Sequence, residues 1–155
     1  MTTVIVRRTA QATPPRVWSV ATDIDHWPET MSGIDAVEVI AGSGFDVGTR
    51  WRETRTMSGK QVTEEMAVTA MEDGRSYTVE SGGRGAHYVS VFSFLPAGNG
   101  ATEIELSFTL QPTSAVARML DRLAAPLTRR TLVNGLQGDL DDVAAVAEGG
   151  AGLGA

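Results

Sequence analysis

Ser114 to Glu148 reads SAVARMLDRLAAPLTRRTLVNGLQGDLDDVAAVAE, and its periodicity sets the architecture of the chain. Apolar residues recur at Val116, Leu120, Leu123 and Leu127, then at Leu132, Leu136, Leu140 and Val143. Steps of three and four place them on one broad stripe of an α-helix, and such a stripe needs a covering surface. At ~1.5 Å per residue the run is roughly 50 Å long, more than a chain of this size spans comfortably. Pro126 removes a backbone donor near the middle, so a kink is expected there. The expectation is a long, bent helix laid across a curved antiparallel sheet.

Composition sets the frame. A chain of 155 residues suits one domain, large enough for a full core or for a core partly replaced by a cavity. The net charge of −6 argues against a nucleic-acid binder, which needs a basic face, and against a protein held on anionic membranes. The absence of cysteine removes disulfides, thiolate catalysis and cysteine-based metal sites. Met1 to Arg8 holds no apolar run of signal-peptide length, and no segment approaches a membrane span. The cytoplasm is the expected location.

Upstream of the helix the pattern is one of strands. Thr2 to Ala12 alternates, with Val4, Val6, Ala10 and Ala12 against Thr3, Ile5 and Arg7. Thr13-Pro14-Pro15 opens a helix that Thr13 is placed to cap, with Val17, Val20 and Ala21 on one face. Asp23-Ile24-Asp25-His26-Trp27-Pro28-Glu29 ends it and starts a second short helix. Strands then follow at Ile34–Ala41, Gly48–Met57, Gln61–Met71, Ser76–Ser81, Ala86–Leu95 and Ala101–Leu110, with a hairpin turn at Asp73-Gly74. Gly42, Gly44 and Gly48 precede a strand, not a helix, which argues against a phosphate-cradling loop. The class is α+β, a meander of seven strands closed by one long helix.

Trp18, the run Asp23 to Glu29, and Gly48-Thr49-Arg50-Trp51 resemble the polyketide cyclase/dehydrase and lipid-transport superfamily, the START-like or Bet v 1-like (SRPBCC) proteins. The likeness in element order covers Thr2 to about Ala147. It implies a helix-grip fold: a seven-stranded antiparallel sheet, with two short helices after strand 1, wrapped around the C-terminal helix over a cavity for an apolar ligand. One START-like domain at residues 1–148 is the expected organisation, and the small residues of 149–155 read as a flexible tail. One departure is Thr30, where such proteins often carry an aromatic residue.

Alternation assigns an inner face to each strand. Trp51, Glu53, Arg55 and Met57 share one, while Arg50, Arg52, Thr54 and Thr56 face solvent. Val62, Glu64, Met66 and Val68 follow on the next strand, then Tyr77 and Val79, then Tyr88, Ser90, Phe92 and Phe94, then Ile104, Leu106, Phe108 and Leu110. Apolar walls with a few convergent polar groups make a small-molecule site; a packed core is the alternative. The expected ligand contacts are Trp51, Met57, Met66, Tyr77, Ser90, Phe92 and Phe108, with Leu123, Leu127 and Asn134 from the helix. Glu53, Arg55, Glu64 and Tyr88 are the acid–base candidates, because a buried carboxylate needs a cation beside it or titrates upward. A register shifted by one residue would instead turn these groups to water.

Three functions fit this pattern. One is a carrier or sensor of a hydrophobic small molecule, lipid- or polyketide-like. Another is an aromatase/cyclase or dehydratase working on a polyketide-type substrate in the same cavity, which needs converging titratable groups. The third is a protein-binding module. His26 and His87 have no second histidine at ligand spacing, so neither a metal nor another cofactor is expected. No Gly-x-Ser-x-Gly elbow occurs either. The expected partner is a hydrophobic small molecule, with no nucleic acid and no stable membrane insertion, in a monomer or homodimer.

Overall fold

The computed structural model describes residues 1–57, 59–83 and 85–149, the side chains of Met57, Gly83 and residues 120–128 excepted. Its elements are β1 (Thr2–Ala10), α1 (Pro14–Ala21), a 3-10 turn (Ile24–His26), α2 (Trp27–Thr30), β2 (Ile34–Ala41) and β3 (Arg50–Met57). Then come β4 (Lys60–Glu72), β5 (Ser76–Gly83), β6 (Ala86–Pro96), β7 (Thr102–Pro112) and α3 (Ala115–Ala147). The strands form one antiparallel sheet in the order β1-β7-β6-β5-β4-β3-β2. This is the helix-grip arrangement. α3 stays one helix through Pro126, where a kink was expected. The side chains of Met57, Leu123 and Leu127, expected to touch a ligand, lie outside the described ones, as do positions 150–155 of the tail.

Alternation decides which side chains go inside, even against hydrophobicity. On β1, Val4 and Val6 are buried while Ile5 between them is half exposed. The strand ends at Ala10, two residues sooner than the pattern suggested. Its last partner is Thr102, the first residue of β7, so no ladder remains beyond it. Thr102 Oγ1 instead donates to the Ala12 carbonyl at 2.7 Å and turns the chain into α1. Thr13 stands at the N-cap of α1, yet its side chain makes no capping bond. Pro14 and Pro15 lack two of the N–H groups a cap would serve.

α3 packs on β1, β7 and α1. Ser114 caps it by accepting from Ala117 N at 3.0 Å. At the other end Arg16 donates to the carbonyls of Val146 and Ala147, serving groups the helix leaves unpaired. Leu140, Val143, Ala144 and Ala147 are buried and belong to one core cluster with Val17, Val20 and Ala21. The small alanines let α1 approach closely. Gln137 Nε2 also donates to the Arg7 carbonyl at 3.0 Å, tying α3 to the β1 edge. The opposite edge is β2, whose pairing with β3 slips twice, between Ile34 and Ala36 and between Val39 and Ala41.

Candidate functional site

The tight core at the end of α3 leaves the middle of the grip open. A cavity of about 280 Å3 lies there, between the inner face of β3–β7, α2 and residues 131–143 of α3. Strand alternation sends Trp51, Glu53, Arg55, Glu64 and Met66 into its wall from β3 and β4. Tyr77, Tyr88, Ser90, Phe92 and Phe108 join them from β5, β6 and β7. Asn134 does not. It is exposed on α3 and borders an outer cleft of about 380 Å3 that shares Arg55, Thr131, Gly135 and Asp139 with the cavity. Its neighbour Gly135 holds the inward position, about 100° round the helix from Asn134.

The polar wall is an ion cluster. Glu53 is almost fully buried, its carboxylate accepting from Trp51 Nε1 at 3.2 Å and from Arg55 Nε at 2.6 Å. Arg55 reaches across to α3 and donates from both terminal nitrogens to Asp139, at 3.1 and 2.9 Å. That bidentate geometry holds a guanidinium against a carboxylate most firmly. Burial works against the Arg55 charge, but Glu53 and Asp139 outweigh it and push the pKa above its ordinary value. Burial raises the Asp139 pKa, against the lowering influence of Arg55, and Glu53 adds to the rise. Gly33 closes the rim: a Cβ there would come within 3.1 Å of Arg55 Nη1. A side chain at position 33 would therefore press on the ion pair.

The aromatic wall has Tyr77 at its centre. Its ring stacks on Phe92 at 4.8 Å and meets Phe45 edge-on at 4.8 Å and Trp18 at 5.8 Å. Trp51 packs edge-to-face on Trp27 at 5.3 Å, and Trp27 Nε1 donates to the Ala21 carbonyl. Burial raises the Tyr77 pKa far above the ordinary phenol value, and the charges of Asp139 and Glu53 add to it. The phenol therefore stays protonated and able to donate. Tyr88 lies against Phe108 with ring centres 5.8 Å apart.

Two members of the cavity wall, and one aromatic packed behind it on Tyr77 and Trp51, escape a strand-by-strand reading. Asp139 is the most consequential, since it completes the Arg55 cluster from α3. Its signal is in the sequence: it falls on the stripe defined by Leu132, Leu136 and Val143. Phe45 comes from the glycine-flanked loop before β3, where no period marks it. Ser81, buried on β5, ends the alternation begun by Tyr77 and Val79. Of the two histidines, His26 is exposed and bonds Asp23 at 2.9 Å; that bond and the Asp23 charge raise its pKa. His87 pairs with Glu80, away from the cavity lining. Among the described residues no group of three or more His, Cys, Asp or Glu is placed to hold a metal ion.

The family model for polyketide cyclase / dehydrase and lipid transport matches residues 1–148. No curated protein matches the chain. TTHA0849 from Thermus thermophilus is similar in structure, at 22% identity and a TM-score of 0.79, covering 94% of this chain and 97% of that one. So is the Zhui aromatase/cyclase from Streptomyces sp. R1128, at 16% identity and a TM-score of 0.75, covering 96% and 94%. Norcoclaurine synthase from Thalictrum flavum, solved in complex with dopamine and hydroxybenzaldehyde, follows at 15% identity and a TM-score of 0.68, covering 94% and 85%. These structural likenesses carry the fold; the family rests on the match along the sequence. The chain belongs to the polyketide cyclase/dehydrase and lipid transport family.

Proposed function

We propose that the chain binds a compact, largely apolar small molecule of lipid or polyketide type between the sheet and α3. The observation that carries this reading is a cavity with aromatic and aliphatic walls and one cluster of charged groups. Its volume of about 280 Å3 lies just below the ~300–1,000 Å3 usual for small-molecule sites. A ring system suits that space better than a long chain. Burial of ligand surface drives binding at ~25 cal/mol per Å2 before ordering costs. The same reading makes the protein a cytoplasmic monomer or homodimer that binds no nucleic acid. Native mass spectrometry of freshly purified protein, with denaturing extraction, tests it. The expected result is an apolar adduct released on unfolding, or displacement of a bound apolar dye by added ring compounds. A bare mass together with no dye binding would sink the reading.

A second reading is an aromatase/cyclase or dehydratase, favoured by the Arg55–Asp139 pair at the cavity wall. Of the five N–H groups of Arg55, three go to Glu53 and Asp139, leaving two for a substrate carbonyl. In that reading Asp139 takes the proton from a carbon beside the carbonyl, and Arg55 stabilises the enolate oxygen. The carbon then bonds to the carbon of a second carbonyl of the same chain, whose oxygen takes the proton back from Asp139 and becomes a hydroxyl. Asp139 next removes the remaining hydrogen of the attacking carbon, a C=C bond forms, and the hydroxyl leaves with that proton as water. Asp139→Asn is expected to abolish turnover of a poly-β-ketone while leaving dye affinity within about twofold. Turnover at the original rate would remove the enzyme reading and leave the binding one.

A further inference from the structure

Ser81 Oγ is the one buried side-chain oxygen or nitrogen among the described residues without a hydrogen-bond partner. Its residue is 8% exposed and lines the cavity. The chain explains why it has none. A serine in a helix turns its hydroxyl back to the carbonyl four residues earlier. On β5 the neighbouring carbonyls are engaged with β4 and β6, since Ser81 sits between Met66 and Tyr88 in the ladder. Alanine or valine would satisfy the inward apolar pattern at this position. A hydroxyl there carries a desolvation cost that nothing among the described residues returns.

We infer that Ser81 is the polar anchor for an oxygen atom, hydroxyl or carbonyl, on the ligand of this cavity, which is therefore an oxygen-bearing aromatic or polycyclic molecule. The inference rests on the binding function proposed above and names the ligand class for it. The surroundings fit a flat ring with one oxygen at its rim. Met66 and Val79 flank the hydroxyl on the inner face, and Ser90 continues the wall on β6. Tyr88 stands directly across, with Cβ atoms ~4.5–5.5 Å apart by cross-strand geometry. The Ser81 hydroxyl donates to a carbonyl or accepts from a phenol, so either group satisfies it.

Matched probes test this on the full chain: naphthalene against 2-naphthol, and toluene against p-cresol, titrated into the wild type and Ser81→Ala by tryptophan fluorescence. The ratio of phenol to hydrocarbon affinity is expected to fall roughly three- to tenfold in Ser81→Ala, the worth of one neutral hydrogen bond. Hydrocarbon affinity should stay unchanged. The unliganded variant should melt at the wild-type temperature or above it, because it loses an unpaired buried hydroxyl. Equal ratios in the two proteins overturn the anchor and leave cavity binding standing. A marked fall in melting temperature also overturns it, since the hydroxyl would then have a structural partner. No binding of any probe by either protein overturns the cavity function, and the anchor with it.

Discussion

Arg55 is held by two carboxylates from two different elements, Glu53 beside it on β3 and Asp139 on α3. Replacing it by methionine leaves both acids buried without a cation. That should cost about 3–5 kcal/mol at neutral pH, the usual result of breaking a buried pair. The sign with pH follows from linkage. A carboxyl whose folded pKa lies above its unfolded value binds more protons when folded, so stability falls as pH rises through that folded value. Burial already raises Asp139 in this sense, and losing Arg55 removes what opposes the rise. Urea melts at pH 7 and pH 5 should show the Arg55→Met deficit shrinking at the lower pH. An equal deficit at both would mean the carboxylates reach water. Glu53 and Arg55 were legible in the sequence because they share a face with Trp51. Ser81 ends the expected strand Ser76–Ser81 on the face of Tyr77 and Val79, but a small polar residue at a strand end carries no apolar signal of burial.

α3 shows where sequence reading succeeds and where it stops. Leu132, Leu136, Leu140 and Val143 declare its inner stripe, and all four line the cavity. Asp139 lies on the same stripe, but a charge is ordinarily read as solvated, and its partner belongs to a strand more than eighty residues earlier. Only the fold brings Arg55 to it. Asn134 differs: it adjoins the stripe in sequence but sits one helical step off it, at the outer cleft. The strands were more legible, because period two leaves each residue only two faces. Gly135 and Gly138 weaken the helix where it borders both cavities, and a Cβ at either meets nothing within 4 Å. Gly135→Ala and Gly138→Ala should each stabilise by about 0.5–1 kcal/mol, the helical difference between the two residues. Thermal melts decide it, a loss of stability being the contrary result. Gly135→Leu should lower the affinity for apolar probes by filling the cavity.

Across the whole molecule, core and open space share their walls. Trp51, Tyr77, Ile104, Leu106, Leu140 and Val143 belong to the buried core and also line the cavity. A ligand there acts as a missing piece of core. At a hundredfold excess over its Kd it should add about 2.7 kcal/mol by mass action. For a domain of this size that is ~5–10 °C of melting temperature. A saturating probe that leaves the melt unmoved binds somewhere other than the folded cavity. The two slips in the β2–β3 ladder bear on another property of the molecule. The last strand of a sheet offers its free backbone groups as a template on which a second chain can grow. Here that row is broken at both ends of β2, and Asp35 and Glu38 on the strand are exposed. An irregular, charged rim is poor seed for fibre growth, so the protein should stay dispersed at concentrations where a straight, neutral edge would recruit its copies.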